Sequence, residues 1–315
     1  MDDGNHGSAA DRVATSAAGE RSSRLKYVAA GASVGVASVL IAAKAGAWFA
    51  TGSVSLLSTL VDSLLDLAAS LVNFVAVHQA AQPPDREHRF GHGKAEPLAG
   101  LAQAAFVGGS AVFLIVQAAE KLVHPTPISN STIGIGVMVL SIALTLVLVL
   151  FQRFVVQRTG SVAIAADSLH YRADLFVNIS VIIALLLATK GGWIVADPLL
   201  ALVIAAYILW GAVGIFRSSL NLLMDRELPE EDRARIRRIA SAHPSVIAIH
   251  DLRTRSSGTQ TFIQFHLEMQ GDLSLYDAHA ISDDVMDEIE EAFPGAEVLI
   301  HEDPFGVEEK RAIFK

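Results

Sequence analysis

Six long apolar runs decide what this chain can become. They lie near Tyr27–Ala50, Val54–Ala80, Leu98–Val123, Ile133–Val155, Val162–Ala188 and Ile194–Ile215. Each reaches the roughly 20 residues that an α-helix needs to cross the apolar core of a bilayer. The composition agrees: 52% of the 315 residues are hydrophobic and the mean hydropathy is +0.43. Small residues recur in these runs, as Gly31 and Gly35, Gly108 and Gly109, and Gly134 and Gly136. They predict close approach between helices. The chain reads as a polytopic α-helical membrane domain of six spans, residues 25–227, with a separate C-terminal domain, residues 228–315.

The connections set the orientation. Arg21, Arg24 and Lys26 precede the first span, Arg86, Arg89 and Lys94 follow the second, Arg153 and Arg158 follow the fourth, and Arg217 follows the sixth. The other three connections are poor in basic residues, with Lys121 and Lys190 as exceptions. The excess of positive charge on cytoplasmic loops then puts both termini in the cytoplasm, in a multi-pass protein of the cell (inner) membrane. Residues 1–24 are rich in Ser, Ala, Gly, Asp and Arg and lack the apolar core of a signal peptide. They are expected to form a disordered cytosolic tail.

Charge marks the second boundary. The chain carries a net charge of −9, and residues 229–315 alone hold 18 acidic and 9 basic side chains, leaving the rest balanced. An acidic domain argues against nucleic acid and suits cationic ligands. Glu230–Ala242 reads as a helix behind Pro229. Val246–Arg255 and Thr261–Met269 alternate apolar and polar residues around Ser256, Ser257 and Gly258, which predicts a hairpin. Ser274–Ala292 has helical periodicity and Ala296–His301 reads as a last strand. The order αββαβ predicts a small ferredoxin-like α+β unit.

Ionisable residues inside the apolar runs point to function. Asp62 and Asp66 lie in the second run, and His170 and Asp174 in the fifth. Each pair is spaced i, i+4, so that on a helix both side chains share a face. Two such helices facing each other gather three carboxylates and one imidazole, a donor set suited to a divalent metal of the zinc kind. Charged residues in a membrane helix cost at least a few kcal/mol unless paired or solvated. Three carboxylates cannot all stay ionised together in a low dielectric without a cation. A divalent ion supplies that charge, and protons replace it when it leaves; the imidazole pKa ordinarily lies near physiological pH. Asp167, one turn before His170, either supports this site from outside or sits near the water interface.

Two weaker clusters accompany it. Asp85, His88 and His92 share one short loop, as a weak metal site or as incidental residues of a basic loop. In the C-terminal domain His250, His266, His279, His301 and Asp303 read, from composition alone, as incidental surface residues rather than as ligands. The chain has no cysteine, which excludes disulfides and thiolate sites. Any metal is held by histidine and carboxylate, which suits Zn2+, Fe2+, Mn2+ or Cd2+ better than monovalent copper. A hydrolytic metalloenzyme is disfavoured, since no HExxH pattern occurs and four ligands close the shell.

SLLSTLVDSLLD, RFGHGKAEPLAGLAQ, HYRAD and HDLRTRSSGTQTFIQFHLEM with HEDP, in that order, resemble the cation diffusion facilitator family, most closely its bacterial zinc and ferrous-iron efflux members. The resemblance runs from about Arg24 to Phe305. It implies a homodimeric, proton-coupled exporter of divalent metal cations. It implies a transport site at Asp62, Asp66, His170 and Asp174 and a loop site at Asp85, His88 and His92. It further implies a cytosolic binuclear site at His250, His266, His279, His301 and Asp303, holding regulatory ions, with Glu302 nearby. Lys94 and Asp225 match a charge interlock where the two parts meet. The alternative is a membrane-anchored divalent-metal sensor that does not transport.

Overall fold

The computed structural model describes residues 8–52, 54–124, 132–191, 193 and 195–307. Among the described residues, six helices are long and apolar enough to cross a membrane. They are α1 (Ser8–Thr51), α2 (Val54–Ala80), α3 (Ala95–Val123), α4 (Thr132–Thr159), α5 (Val162–Gly191) and α6 (Ala196–Leu223). A smaller part follows: α7 (Glu230–Ala240), β1 (Ala248–Ser256), β2 (Thr261–Met269), α8 (Leu275–Ala292) and β3 (Ala296–Pro304). The chain divides into two compact units, one spanning Ser22–Leu220 and the other taking in Asn221–Lys315. The division falls inside the last turns of α6 rather than at residue 227, because the helix continues through the polar RSSLNLL beyond its apolar run.

The segment expected as a disordered tail enters the first helix. Residues 8–24 are helical, because α1 starts at Ser8. Extending an existing helix adds one hydrogen bond per residue fixed, and the alanine-rich segment favours it. Residues 1–7 of the tail, like residues 308–315 of the C-terminal domain, lie outside the described residues.

In the membrane unit α5 is the central element. Its Ala163 and Ile164 pack with Ala29, Ala30, Val77 and Val155; its Leu169 packs with Val107, Ala111, Ile208 and Ala212; its Tyr171 packs with Leu148 and Val149. Helices therefore press on α5 from several sides. The tight approaches occur at glycines other than those singled out above. A Cβ on Gly211 would lie 2.9 Å from Leu169 Cδ1, and one on Gly100 would lie 2.8 Å from Ser219 Oγ. Gly35, Gly109 and Gly136 have nothing within 4 Å of such an atom.

Ion pairs tie the helix ends. Lys26 Nζ of α1 lies 2.7 Å from Glu96 Oε1 of α3, and the other carboxylate oxygen accepts from Ser161 Oγ at 2.6 Å. Both charged side chains are almost wholly buried. At the other ends, Lys121 of α3 and Asp197 of α6 meet at 2.7 Å. Lys121, an exception among the basic-poor connections, is thus a structural partner.

The C-terminal unit is the α+β domain that its sequence predicts. Its sheet has the order β1-β2-β3, antiparallel between β1 and β2 and parallel between β2 and β3. Ile263, Phe265, Leu267 and Met269 of β2 are buried with Ile236 and Ala240 of α7 and Val285 and Ile289 of α8. Strand alternation sends those residues to the helix-covered face and His266 to the opposite face. Helix α7 opens with Glu230, Glu231 and Asp232 and closes with Arg237 and Arg238, which complements its dipole. Ser274 caps α8, accepting from the Asp277 backbone N–H at 3.2 Å.

Removing one partner of the buried pair isolates a charge. We expect Glu96→Ala to destabilise the membrane unit by about 3–5 kcal/mol. The double change Lys26→Met with Glu96→Leu should recover most of that loss in thermal unfolding in detergent.

Candidate metal centres

The membrane centre is built on the facing stripes of α2 and α5. His170 Nε2 lies 3.0 Å from Asp66 Oδ1 and 3.8 Å from Asp174 Oδ2. One ligand atom from each of the three residues falls within 4.8 Å of the others. Asp62, one turn earlier on α2, lines the same cavity of about 400 Å³ but stands outside that trio. His170 is buried, with its Nε2 turned toward the two carboxylates. A buried imidazole nitrogen held between carboxylates has the chemistry of a ligand to a divalent cation. Phe106 and Tyr171 flank the ring, with centroids 6.0 and 5.4 Å away.

Behind it lies a second, wholly polar cluster. Asp167 is fully buried, which removes it from the water interface. Ser33 Oγ donates to its Oδ2 at 2.5 Å, Gln152 Nε2 to the same oxygen at 2.7 Å, and Gln103 Nε2 to Oδ1 at 3.4 Å. Tyr171 joins in, donating to Ser33 O at 3.1 Å and sharing a hydrogen bond with Ser70 Oγ at 2.9 Å. Side chains of α1, α3 and α4 thus meet around one carboxylate of α5, and Tyr171 links the cluster to Ser70 of α2. The sequence reading missed Gln103, Gln152 and Ser33, and also Lys44 of α1, which lines the metal cavity. Polar side chains inside apolar runs were the available signal.

The three loop residues lie close together. His88 Nδ1 and His92 Nε2 lie 3.4 and 3.3 Å from the two oxygens of Asp85. A tight turn makes this possible: Asp85 Oδ1 accepts the backbone N–H of His88 at 2.6 Å and of Glu87 at 2.8 Å. Gly91, at φ +75°, takes the left-handed conformation that returns the chain toward α3. The His88 N–H, and after it that of Glu87, hold the Asp85 carboxyl below the usual carboxylate range, although burial opposes them.

The C-terminal centre follows from strand register. His250 pairs with His266 across β1 and β2, and His266 with His301 across β2 and β3. Asp303, almost wholly buried, sits at the middle. Its Oδ2 lies 2.8 Å from His266 Nδ1 and 3.2 Å from His250 Nε2, and its Oδ1 lies 3.2 Å from His301 Nε2. Glu268 Oε1 stands 3.2 Å from the other nitrogen of His250. Register shifts beyond His250, where Asp251 takes φ +49°. A carboxylate with an imidazole on either side is suited to bridging two ions. His279 is not brought in: it is exposed on α8, 3.4 Å from Asp283, and belongs to none of the close groups among the described residues. Lys94 precedes α3, and Asp225 meets Arg255 at 3.6 Å.

Residues 31–224 match the family model of the cation efflux transmembrane domain, and residues 228–305 match that of the cation efflux protein cytoplasmic domain. A cation-efflux pump FieF of Shewanella oneidensis is 49% identical over 281 residues, covering 89% of this chain and 95% of that protein. Its counterpart in Klebsiella pneumoniae is 48% identical over 284 residues, covering 90% of this chain and 94% of that one. A solved structure of CzrB in its Zn form shares 34% identity over 27% of this chain and 99% of that chain, at a TM-score of 0.26.

Two outcomes are expected from this geometry. Because its native pKa is lowered, Asp85 stays anionic until the pH falls through that lowered value, and the turn it holds is lost only then. A carboxyl-carbon NMR titration should find its midpoint below the ordinary value of about 3.9; a midpoint at or above that would mean the turn is absent. Separately, Asp303→Ala should remove more bound zinc per chain than His301→Ala, as read by equilibrium dialysis of the full-length protein.

Proposed function

The chain belongs to the cation efflux, or cation diffusion facilitator, family, and from that premise we propose that it exports divalent metal cations from the cytosol in exchange for protons. The observation that carries the reading is the convergence of Asp66, His170 and Asp174, with Asp62 in the same cavity, inside a bundle of six apolar helices. A transported ion needs a site that holds it without water and then lets it go. Carboxylates and an imidazole do both, because each binds metal only when deprotonated. Metal and protons therefore compete for the same lone pairs, and antiport follows without further machinery.

The cycle runs by alternating access. Cytosolic metal enters the cavity and displaces protons from Asp62, Asp66, His170 and Asp174. The helices then rearrange to open the site outward, where protons take the ligands back and metal leaves. A proton gradient directed inward drives net efflux. The basic flanks of the first, third and fifth spans support an orientation with both termini in the cytoplasm. Zinc fits the donor set best, and cadmium, ferrous iron and manganese are accommodated.

The two remaining centres act on the cytosolic side in this reading. Asp85 and His88 are exposed and His92 is half-buried, and the three hold metal weakly. The centre around Asp303, with His250, His266 and His301, binds resident zinc and, in a homodimer, stabilises the form that transports. His279 would join it only from another position of α8 or from a second copy of the domain.

Flux tests the proposal directly. In proteoliposomes with an internal zinc dye and an imposed pH gradient, the wild-type protein should move zinc. Asp66→Ala should lower the rate at least about 100-fold, in line with loss of a ligand at a metal site. If the variant transports normally, the site is misassigned. If neither protein moves zinc, manganese or ferrous iron while both bind it, the membrane-anchored sensor is the correct reading.

A further inference from the structure

Among the described residues that line the carboxylate cavity, Lys44 is the sole lysine or arginine. It belongs to α1, inside the span Arg21–Thr51. A lysine in such a span ordinarily extends its ammonium toward the membrane surface. Lys44 instead turns inward. Its Nζ donates to Ser63 Oγ at 2.5 Å and to the Thr59 backbone carbonyl at 3.2 Å. Thr59 and Ser63 lie one turn apart on α2, on the stripe that continues through Asp62 and Asp66. Ser63 is almost wholly buried. Asp62 and Asp174, one carboxylate from each of the two ligand-bearing helices, line the same cavity as Lys44.

Charge balance gives this position a role. With its carboxylates ionised, the cavity holds the negative charges of Asp62, Asp66 and Asp174 and the positive charge of Lys44. With imidazole neutral, as metal binding requires, a dication brings the total to zero. A monovalent ion leaves the cavity negative and a trivalent ion leaves it positive. In a low dielectric, residual charge of either sign is strongly unfavourable. Without the ammonium, neutrality would instead require a trication.

We propose that Lys44 is the resident counter-cation of the metal cavity and sets its preference for the charge of the ion, so that dications are favoured and are held loosely enough to be released. This deepens the transport reading and rests on it for the step of release. The choice between dications and trications rests on the cavity alone. The simpler role for Lys44, a tie between α1 and α2, predicts nothing about ion charge, and this separates the two.

The experiment compares Lys44→Gln, which keeps a hydrogen-bond donor and loses the charge, with Lys44→Arg, which keeps the charge. Zinc and terbium are titrated against full-length protein in detergent. Asp85→Ala and Asp303→Ala are present throughout, so that the membrane site is read. In Lys44→Gln the ratio of terbium to zinc affinity should rise by about tenfold or more, as expected for removing a unit charge from a partly desolvated site. Lys44→Arg should keep the wild-type ratio. Lys44→Met must shift the ratio in the same direction, so that a folding defect in one variant does not decide the matter.

An unchanged ratio in Lys44→Gln and Lys44→Met, or an equal shift in Lys44→Arg, overturns the proposal and leaves Lys44 as a helix tie. Failure of the wild-type protein to move metal in liposomes would count against transport and leave the ratio standing. A normal flux with an unshifted ratio would do the reverse.

Discussion

The fold depends on one constraint: a charge inside an apolar bundle must meet a partner. The membrane unit answers it differently at each level. At one set of helix ends Glu96 takes the ammonium of Lys26 and the hydroxyl of Ser161. At the opposite ends Lys121 meets Asp197. Between them, Asp167 is surrounded by hydroxyl and amide donors, and the metal cavity sets three carboxylates against an imidazole and the single ammonium of Lys44. Much of the polar chemistry of the bundle is therefore shared between helices. Each such contact fixes the rotation of one helix against another, which apolar packing against lipid-like neighbours does weakly.

Helix α5 carries most of this burden. It supplies Asp167 to the polar cluster and His170 and Asp174 to the metal cavity, while Tyr171 touches both Ser33 and Ser70. Leu169, between Asp167 and His170, fills the space that Gly211 leaves open. Between Asp167 and Asp174, side chains that hold the bundle are thus interleaved with those of the candidate metal site. A movement of His170 is felt one residue away by the packing of Leu169 and Tyr171, and this is the physical basis on which occupancy of the proposed site would bear on helix arrangement.

The C-terminal domain solves a related problem with a sheet. Its helices cover one face, and the other face is free to gather polar side chains. The cross-strand row of His250, His266 and His301 converges on Asp303 because the β2–β3 pairing is parallel and in register. A slip of one residue would turn Asp303 into the core and Val298 out of it. The same alternation that packs Ile263, Phe265 and Leu267 against α7 and α8 therefore orients the ligands.

Much of this was legible in the chain itself. The six apolar helices, the αββαβ order and the candidate ligand types are local properties, written in hydropathy, periodicity and i, i+4 spacing, and the bilayer leaves few structures able to satisfy them. What the tertiary structure alone decided is which side chains converge. It put Asp62 in the cavity but outside the close trio, left His279 on an exposed helix face, buried Asp167 and turned Lys44 inward. It also moved the tight helix contacts to Gly100 and Gly211. Those outcomes depend on the rotation of helices and the register of strands that are distant in sequence, and no local pattern encodes them.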